Sequence, residues 1–188
     1  MGVFSSGGIG IDMGSGSTAV YLENEGVKLR EPTCALVNRE NASDVLALGR
    51  DAQRMAGRTD DASILVAPVI DGGVADSELA AILMLSVAEK ACEKRRPFEK
   101  SRLAVTVPHG ATRVERAALA TATGLAGAKK ALIVKAPVAA AIGAGVRIDR
   151  PQGVLVISVG CAVTEISILS MNGVVASRTM KTGSMAFD

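Results

Sequence analysis

The sequence has almost no aromatic bulk: no Trp, one Tyr and three Phe in 188 residues. That leaves no stacking platform for unpaired bases. The net charge of +2 is spread along the chain and forms no basic stripe, so nucleic acid is excluded as a partner class. Histidine occurs once, at His109, with no Cys or carboxylate motif beside it, which reads as a loop residue and not as a ligand or base. The three cysteines, Cys34, Cys92 and Cys161, are odd in number and widely spaced. This excludes a disulfide framework and a zinc site, and fits packing thiols in a reducing compartment. No apolar run reaches the ~20 residues of a membrane span, and Met1 to Gly8 lacks the basic start and apolar middle of a secretory signal, so the chain reads as cytoplasmic. Met1-Gly2-Val3-Phe4-Ser5-Ser6 matches the acylation pattern at Gly2, and Val3 and Phe4 are apolar enough to touch a membrane surface. A disordered tail is the simpler reading of that segment.

What the chain does have is small apolar residues, 48% hydrophobic in total, enough to build one full domain or two small lobes. With Ala and Val in place of rings, such a core depends on close approach of backbones.

The organising stretch is Ile9 to Tyr21, which reads as a strand, a tight turn at Gly14-Ser15-Gly16 and a return strand. Glycine lets a backbone approach a ligand closely, and successive amides in such a turn make a concavity for anions, phosphate above all. Asp12 adds a carboxylate at the same place, suited to a magnesium ion held mostly through water. An ordinary hairpin would read the same way, but the pattern recurs. A shift of 146 positions places Ile11 on Ile157, Gly14 on Gly160, Thr18 on Thr164, Val20 on Ile166 and Leu22 on Ile168. Two such hairpins facing each other would clamp a polyphosphate. The candidate binding residues are therefore Asp12, Gly14, Ser15, Gly16, Ser17 and Thr18, with Ser158, Gly160, Cys161, Ala162, Val163 and Thr164 opposite. Ser15 and Ser17 belong to no Ser-His-Asp arrangement, and no catalytic residue is assigned.

In order, the chain predicts a short strand over Gly26 to Arg30 interrupted by Glu31-Pro32, strands over Thr33 to Val37 and Val45 to Leu48, and a short helix within Gly49 to Arg58. Ile64 to Ile70, broken by Pro68, suits an edge strand or a connector. Asp76 reads as the N-cap of a helix from Ser77 to about Lys94, with Leu79, Ile82, Leu83, Ser86 and Val87 on one side. Its last turn would place Lys94, Arg95 and Arg96 at the negative end of the helix dipole, with Pro97 as the stop. Leu103 to Val107 is a β run, Thr112 to Thr123 a helix closed by Gly124 and Gly127, Ala131 to Val134 a strand, and Val138 to Gly145 a helix opened by Pro137. Strand and helix in alternation argue for a parallel sheet flanked by helices, an α/β fold. Val154 to Val159 and Thr164 to Leu169 form the second hairpin, Val174 to Met180 follows, and another helix begins near Asp188.

Taken together, Gly10-Ile11-Asp12-Met13-Gly14-Ser15-Gly16-Ser17-Thr18, Arg30-Glu31-Pro32-Thr33, Gly57-Arg58-Thr59, Asp71 to Asp76, Val107-Pro108-His109-Gly110 and Pro137 to Gly145 resemble the MreB family, the bacterial actin-like rod-shape proteins. The resemblance covers nearly the whole chain in order. It implies an actin-like (ribonuclease H-like) fold in which two lobes close on ATP and magnesium, with Asp12 toward the metal. It also implies self-assembly, or assembly with intact homologues, into filaments at the membrane periphery. By the same resemblance, residues 1–32 and 64–150 form the first-lobe core, 33–63 the small outer subdomain and 151–188 the start of the second lobe. The rest of that lobe, where the family holds adenine and ribose, would be missing.

Departures from the family pattern carry expectations of their own. The second hairpin of the family reads Asp-x-Gly-Gly-Gly-Thr-Thr-Glu; here it is Ser158-Val159-Gly160-Cys161-Ala162-Val163-Thr164-Glu165. Side chains at Cys161 and Ala162 obstruct the approach of phosphate, and Ser158 removes a second anchor for hydrated magnesium. The glutamate that orients the attacking water in the family is Ala136 here, preceded by Lys135. Weak nucleotide grip and little or no hydrolysis are expected. Two alternatives stand beside this: a remnant of a sugar kinase of the same superfamily, for which no catalytic Asp presents itself between Gly57 and Gly145, and a non-functional fragment with an unpaired sheet edge.

Overall fold

A computed structural model describes residues 7–58 and 62–187. The acylation pattern at Gly2, with Val3 and Phe4, and Thr59 of the Gly57-Arg58-Thr59 motif lie outside the described residues. The elements run β1 (Gly8–Met13), β2 (Ser17–Leu22), β3 (Gly26–Pro32), β4 (Ala35–Asn38), β5 (Val45–Leu48), α1 (Gly49–Met55), β6 (Ser63–Val66), β7 (Val69–Ile70), β8 (Gly73–Val74), α2 (Ser77–Cys92), β9 (Arg102–Val107), α3 (Arg113–Leu125), β10 (Ala131–Lys135), α4 (Ala136–Gly143), β11 (Val154–Val159), β12 (Thr164–Ser170) and β13 (Gly173–Met180).

Five strands form the main sheet in the order β10-β9-β1-β2-β3. β1, β9 and β10 run parallel, while β2 and β3 return antiparallel at one edge. The alternation of β1 and β9 sends Ile9, Ile11, Met13, Leu103, Val105 and Val107 to one face, where Leu83, Met84, Val87 and Ala88 of α2 and Leu119 and Ala122 of α3 meet them. Ala80, Ala88 and Ala122 are fully buried, so the helices approach the sheet over β-carbons and not rings, as the composition implies. Burying each of the Leu, Met and Val side chains in this layer stabilises the fold by about 1.5–3 kcal/mol.

A three-stranded antiparallel sheet, β5-β4-β6, rests on the start of α2 through Ala35, Val37 and Leu79. A second one, β11-β12-β13, has a core of its own in which Ala141 of α4 and Ile148 meet Leu169. Helix α4 touches strands of both this sheet and the main one, so it joins them.

Several boundaries differ from those the sequence predicts. Pro32 ends a continuous β3 and does not interrupt it, because β3 is an edge strand where a missing amide costs no ladder bond. The Ile64 to Ile70 run divides at Pro68 into β6 and β7, and β7 pairs with β8. Asp76 does cap α2, its carboxylate accepting the Leu79 amide at 2.9 Å. That helix stops at Cys92, since Glu93 takes a left-handed conformation (φ 51°), so Lys94 to Arg96 lie past its end and Lys90 is the cation in its last turn. Its buried face includes Ala80, Met84 and Ala88, while Ile82 is exposed. Helix α3 begins with a capping box in which Thr112 and Glu115 bond each other's backbone amides, and it runs through Gly124. Beyond Met180 the chain makes a short 3-10 turn, Ser184–Phe187.

Candidate functional site

The parallel strands β1, β9 and β10 all point their C-terminal ends at one place, the crevice where ligands sit in open α/β sheets. Asp12, Thr106 and Ala136 arrive there from these three strand ends, and Ser158, Gly160 and Cys161 face them across a cavity of ≈ 130 Å³. The two hairpins that the sequence pairs at a shift of 146 positions have the same register. Asp12 pairs with Ala19 and Met13 with Thr18 in one; Ser158 pairs with Glu165 and Val159 with Thr164 in the other. Their turns close alike, the Gly14 amide donating to the Ser17 carbonyl at 3.0 Å and the Gly160 amide to the Val163 carbonyl at 2.9 Å. The amides of Ser15, Cys161 and Ala162, which line the cavity, are then the candidates for meeting an anion.

Of the residues singled out from the sequence, Asp12, Gly14, Ser15, Ser158, Gly160, Cys161, Ala162 and Val163 line this cavity. Gly16 does not line it; a β-carbon there would lie 2.7 Å from Cys161 Sγ, so the two turns are in contact. Thr18 is fully buried and its hydroxyl bonds Thr33 Oγ1 at 2.9 Å, while Ser17 Oγ accepts from Arg30 at 3.5 Å. Thr164 donates its hydroxyl to the Thr182 carbonyl at 2.7 Å.

Three neighbours were not named as site residues from the sequence. The Thr106 hydroxyl donates to Asp12 Oδ1 and orients that carboxylate. Gly72, at the β7–β8 turn, has φ +77° and stands where a β-carbon would press on Pro108 at 3.0 Å and Val163 at 3.1 Å; its amide donates to Ser15 Oγ at 2.9 Å. Glu165 is 5% exposed and reaches from β12 to the loop after β9. Thr106 becomes legible only once the parallel register of β1 and β9 is known.

His109 is a loop residue, as the sequence suggests. Its Nδ1 is buried and has no hydrogen-bond partner among the described residues, and burial, with Lys135 and Arg116 nearby, lowers its pKa against the pull of Glu165. Burial raises the pKa of the Cys34 and Cys92 thiols, and all three cysteines are free and partly buried. No cluster of His, Cys, Asp or Glu able to hold a metal ion occurs among the described residues, and no helix there is long and apolar enough to cross a membrane. A larger, open concavity of ≈ 870 Å³ lies at the opposite strand ends, over Gly8, Tyr21, Arg102 and Leu132, and holds neither turn.

The MreB/Mbl protein family matches residues 6–188. The cell shape-determining protein MreB of Escherichia coli is 33% identical over 190 residues, which cover 100% of this chain and 54% of that protein. The cell shape-determining protein Mbl of Bacillus subtilis is 33% identical over 180 residues, 96% of this chain and 54% of its own length. Among solved structures, MreB5 of Spiroplasma citri bound to AMPPNP superposes with a TM-score of 0.86 at 31% identity, covering 97% of this chain and 54% of that one. Its ADP-bound form gives 0.83 at 30% identity. The chain spans about half the length of the curated relatives it matches.

Proposed function

The chain belongs to the MreB/Mbl family of actin-like cell-shape proteins, and from that premise we propose that it is a cytoskeletal protein whose ATP cleft keeps its two facing turns but has lost most of its grip. The observation that carries this reading is the contact between the turns. Cys161, where the family has glycine, fills the gap beside Gly16 with its side chain. The space left between the turns is ≈ 130 Å³.

The relatives bound to AMPPNP and ADP make a nucleotide the ligand class to consider. The residues present fit its phosphates poorly. Asp12, oriented by Thr106, is the one carboxylate of the paired Asp positions that remains, and it would hold magnesium through water; Ser158 opposite offers no charge. Bound magnesium would neutralise phosphate charge. Ala136 presents a methyl group where the family orients water, so this chain positions no nucleophile and turnover is absent. In this reading residues 1–32 and 64–150 form the first lobe, 33–63 its small outer subdomain and 151–188 the opening of the second lobe. The chain acts in the cytoplasm, by joining or capping filaments of its own kind or of intact MreB-like homologues at the membrane periphery.

Co-sedimentation with an intact family member tests the proposal. The chain enters the pellet in proportion to the polymer and releases no phosphate; a chain that stays in the supernatant at every polymer concentration contradicts it.

One observation favours a second reading, a fragment without activity. β11 is an edge strand, paired only with β12 among the described residues, and Leu155, Ile157 and Val159 on it are 60%, 59% and 66% exposed. Such an edge is a template for aggregation. Size-exclusion chromatography separates the two: a monodisperse chain supports the filament reading and heterogeneous aggregate the other.

A further inference from the structure

We infer that Glu165 is a positioning residue that latches the three-stranded sheet β11-β12-β13 to the main sheet and fixes the width of the cleft without any ligand. Its carboxylate belongs to β12, yet Oε1 accepts the backbone amide of His109 at 2.7 Å, in the loop between β9 and α3. The same oxygen accepts the Thr179 hydroxyl from β13 at 3.1 Å. Glu165 is 5% exposed, and a buried carboxylate is tolerated only where donors of this kind meet it.

The surroundings are shaped to this contact. A β-carbon on Gly110 would lie 2.7 Å from Thr179 Oγ1, so the loop reaches β13 only because that residue is glycine. The His109 carbonyl accepts from Arg116 of α3 at 3.4 Å, which anchors the loop from behind. Pro108 and Val163, each within two residues of a partner in the latch, both line the cleft. A shift of the Glu165 carboxylate therefore moves both walls of the cleft. The Lys181–Asp71 pair at 3.8 Å spans the same junction, but both groups are exposed and add little. The inference concerns how the cleft is held and does not depend on whether a nucleotide binds there.

Nuclear magnetic resonance of the full 15N-labelled chain, without nucleotide, tests it. The His109 amide lies outside any helix or strand, and it exchanges roughly 10- to 100-fold more slowly than an unstructured amide, the protection of one hydrogen bond to a charged group. Glu165→Ala removes that protection, and Glu165→Gln, which keeps an acceptor oxygen, retains most of it. Residual dipolar couplings from β1, β2 and β9 and from β11, β12 and β13 fit a single alignment tensor in the wild type and in Glu165→Gln, and require two in Glu165→Ala. A wild-type His109 amide that exchanges freely overturns the inference, as does a single tensor in Glu165→Ala. The wild-type measurement needs no variant, so misfolding of the alanine chain leaves the test standing.

Discussion

The side chain of Cys161 stands where a β-carbon on Gly16 would have to go, its Sγ 2.7 Å and its Cβ 2.8 Å from that position. One residue from each hairpin thus sets how closely the two turns approach. Gly16→Ala forces the neighbours apart and costs about 1–3 kcal/mol of stability, the usual toll of overpacking. In the Cys161→Gly background the same change costs less than half as much, because its obstacle is gone. Urea unfolding of the four chains in this cycle reads the coupling.

Thr18 offers a second, separable expectation. Its hydroxyl bonds Thr33 Oγ1 in the interior, so Thr18→Val strands the Thr33 hydroxyl and costs about 1–3 kcal/mol, whereas Thr18→Val with Thr33→Val recovers most of that loss. Thermal or urea unfolding checks this directly.

The pH response follows from His109. Burial lowers its pKa from the ordinary 6.5, so the unfolded chain takes up the proton first. The stability contributed by neutral His109 is complete above the unfolded value and is lost as pH falls below it. Melting temperatures measured between about pH 7 and about pH 5 therefore fall more steeply for the wild type than for His109→Asn. Glu115, whose pKa the Thr112 amide lowers, adds a loss of the same sign at lower pH in both chains.

Hydrolysis depends on residues that can be returned to the family pattern. On the proposed reading, Ala136→Glu alone leaves phosphate release at background, because the Cys161 and Ala162 side chains still obstruct the turns. Combined with Ser158→Asp, Cys161→Gly and Ala162→Gly it gives measurable turnover. Turnover from the wild-type chain at the rate of an intact relative contradicts the proposal.

Much of this arrangement was legible in the sequence because it is local. The turn residues Gly14 to Gly16 and the repeat at Gly160 announce two hairpins, and Asp76 with Thr112 marks two helix starts. What escaped is what tertiary register creates. Thr106 meets Asp12 only because β1 and β9 run side by side, and Gly72 approaches Val163 only because the β7–β8 turn lies between the sheets. Thr18 matches its family position in sequence, yet the alternation of β2 turns its side chain to the interior. The end of α2 falls short of the length the sequence predicts because Glu93 adopts a left-handed conformation that its residue type does not advertise.

Calorimetric titration with ATP and magnesium bears most directly on the central claim, that two facing turns survive with their phosphate space obstructed. The wild-type chain gives no saturable heat at micromolar to millimolar nucleotide. The chain carrying Ser158→Asp, Cys161→Gly and Ala162→Gly binds. Saturable micromolar binding by the wild type, or no gain in the triply substituted chain while it remains folded, contradicts the account.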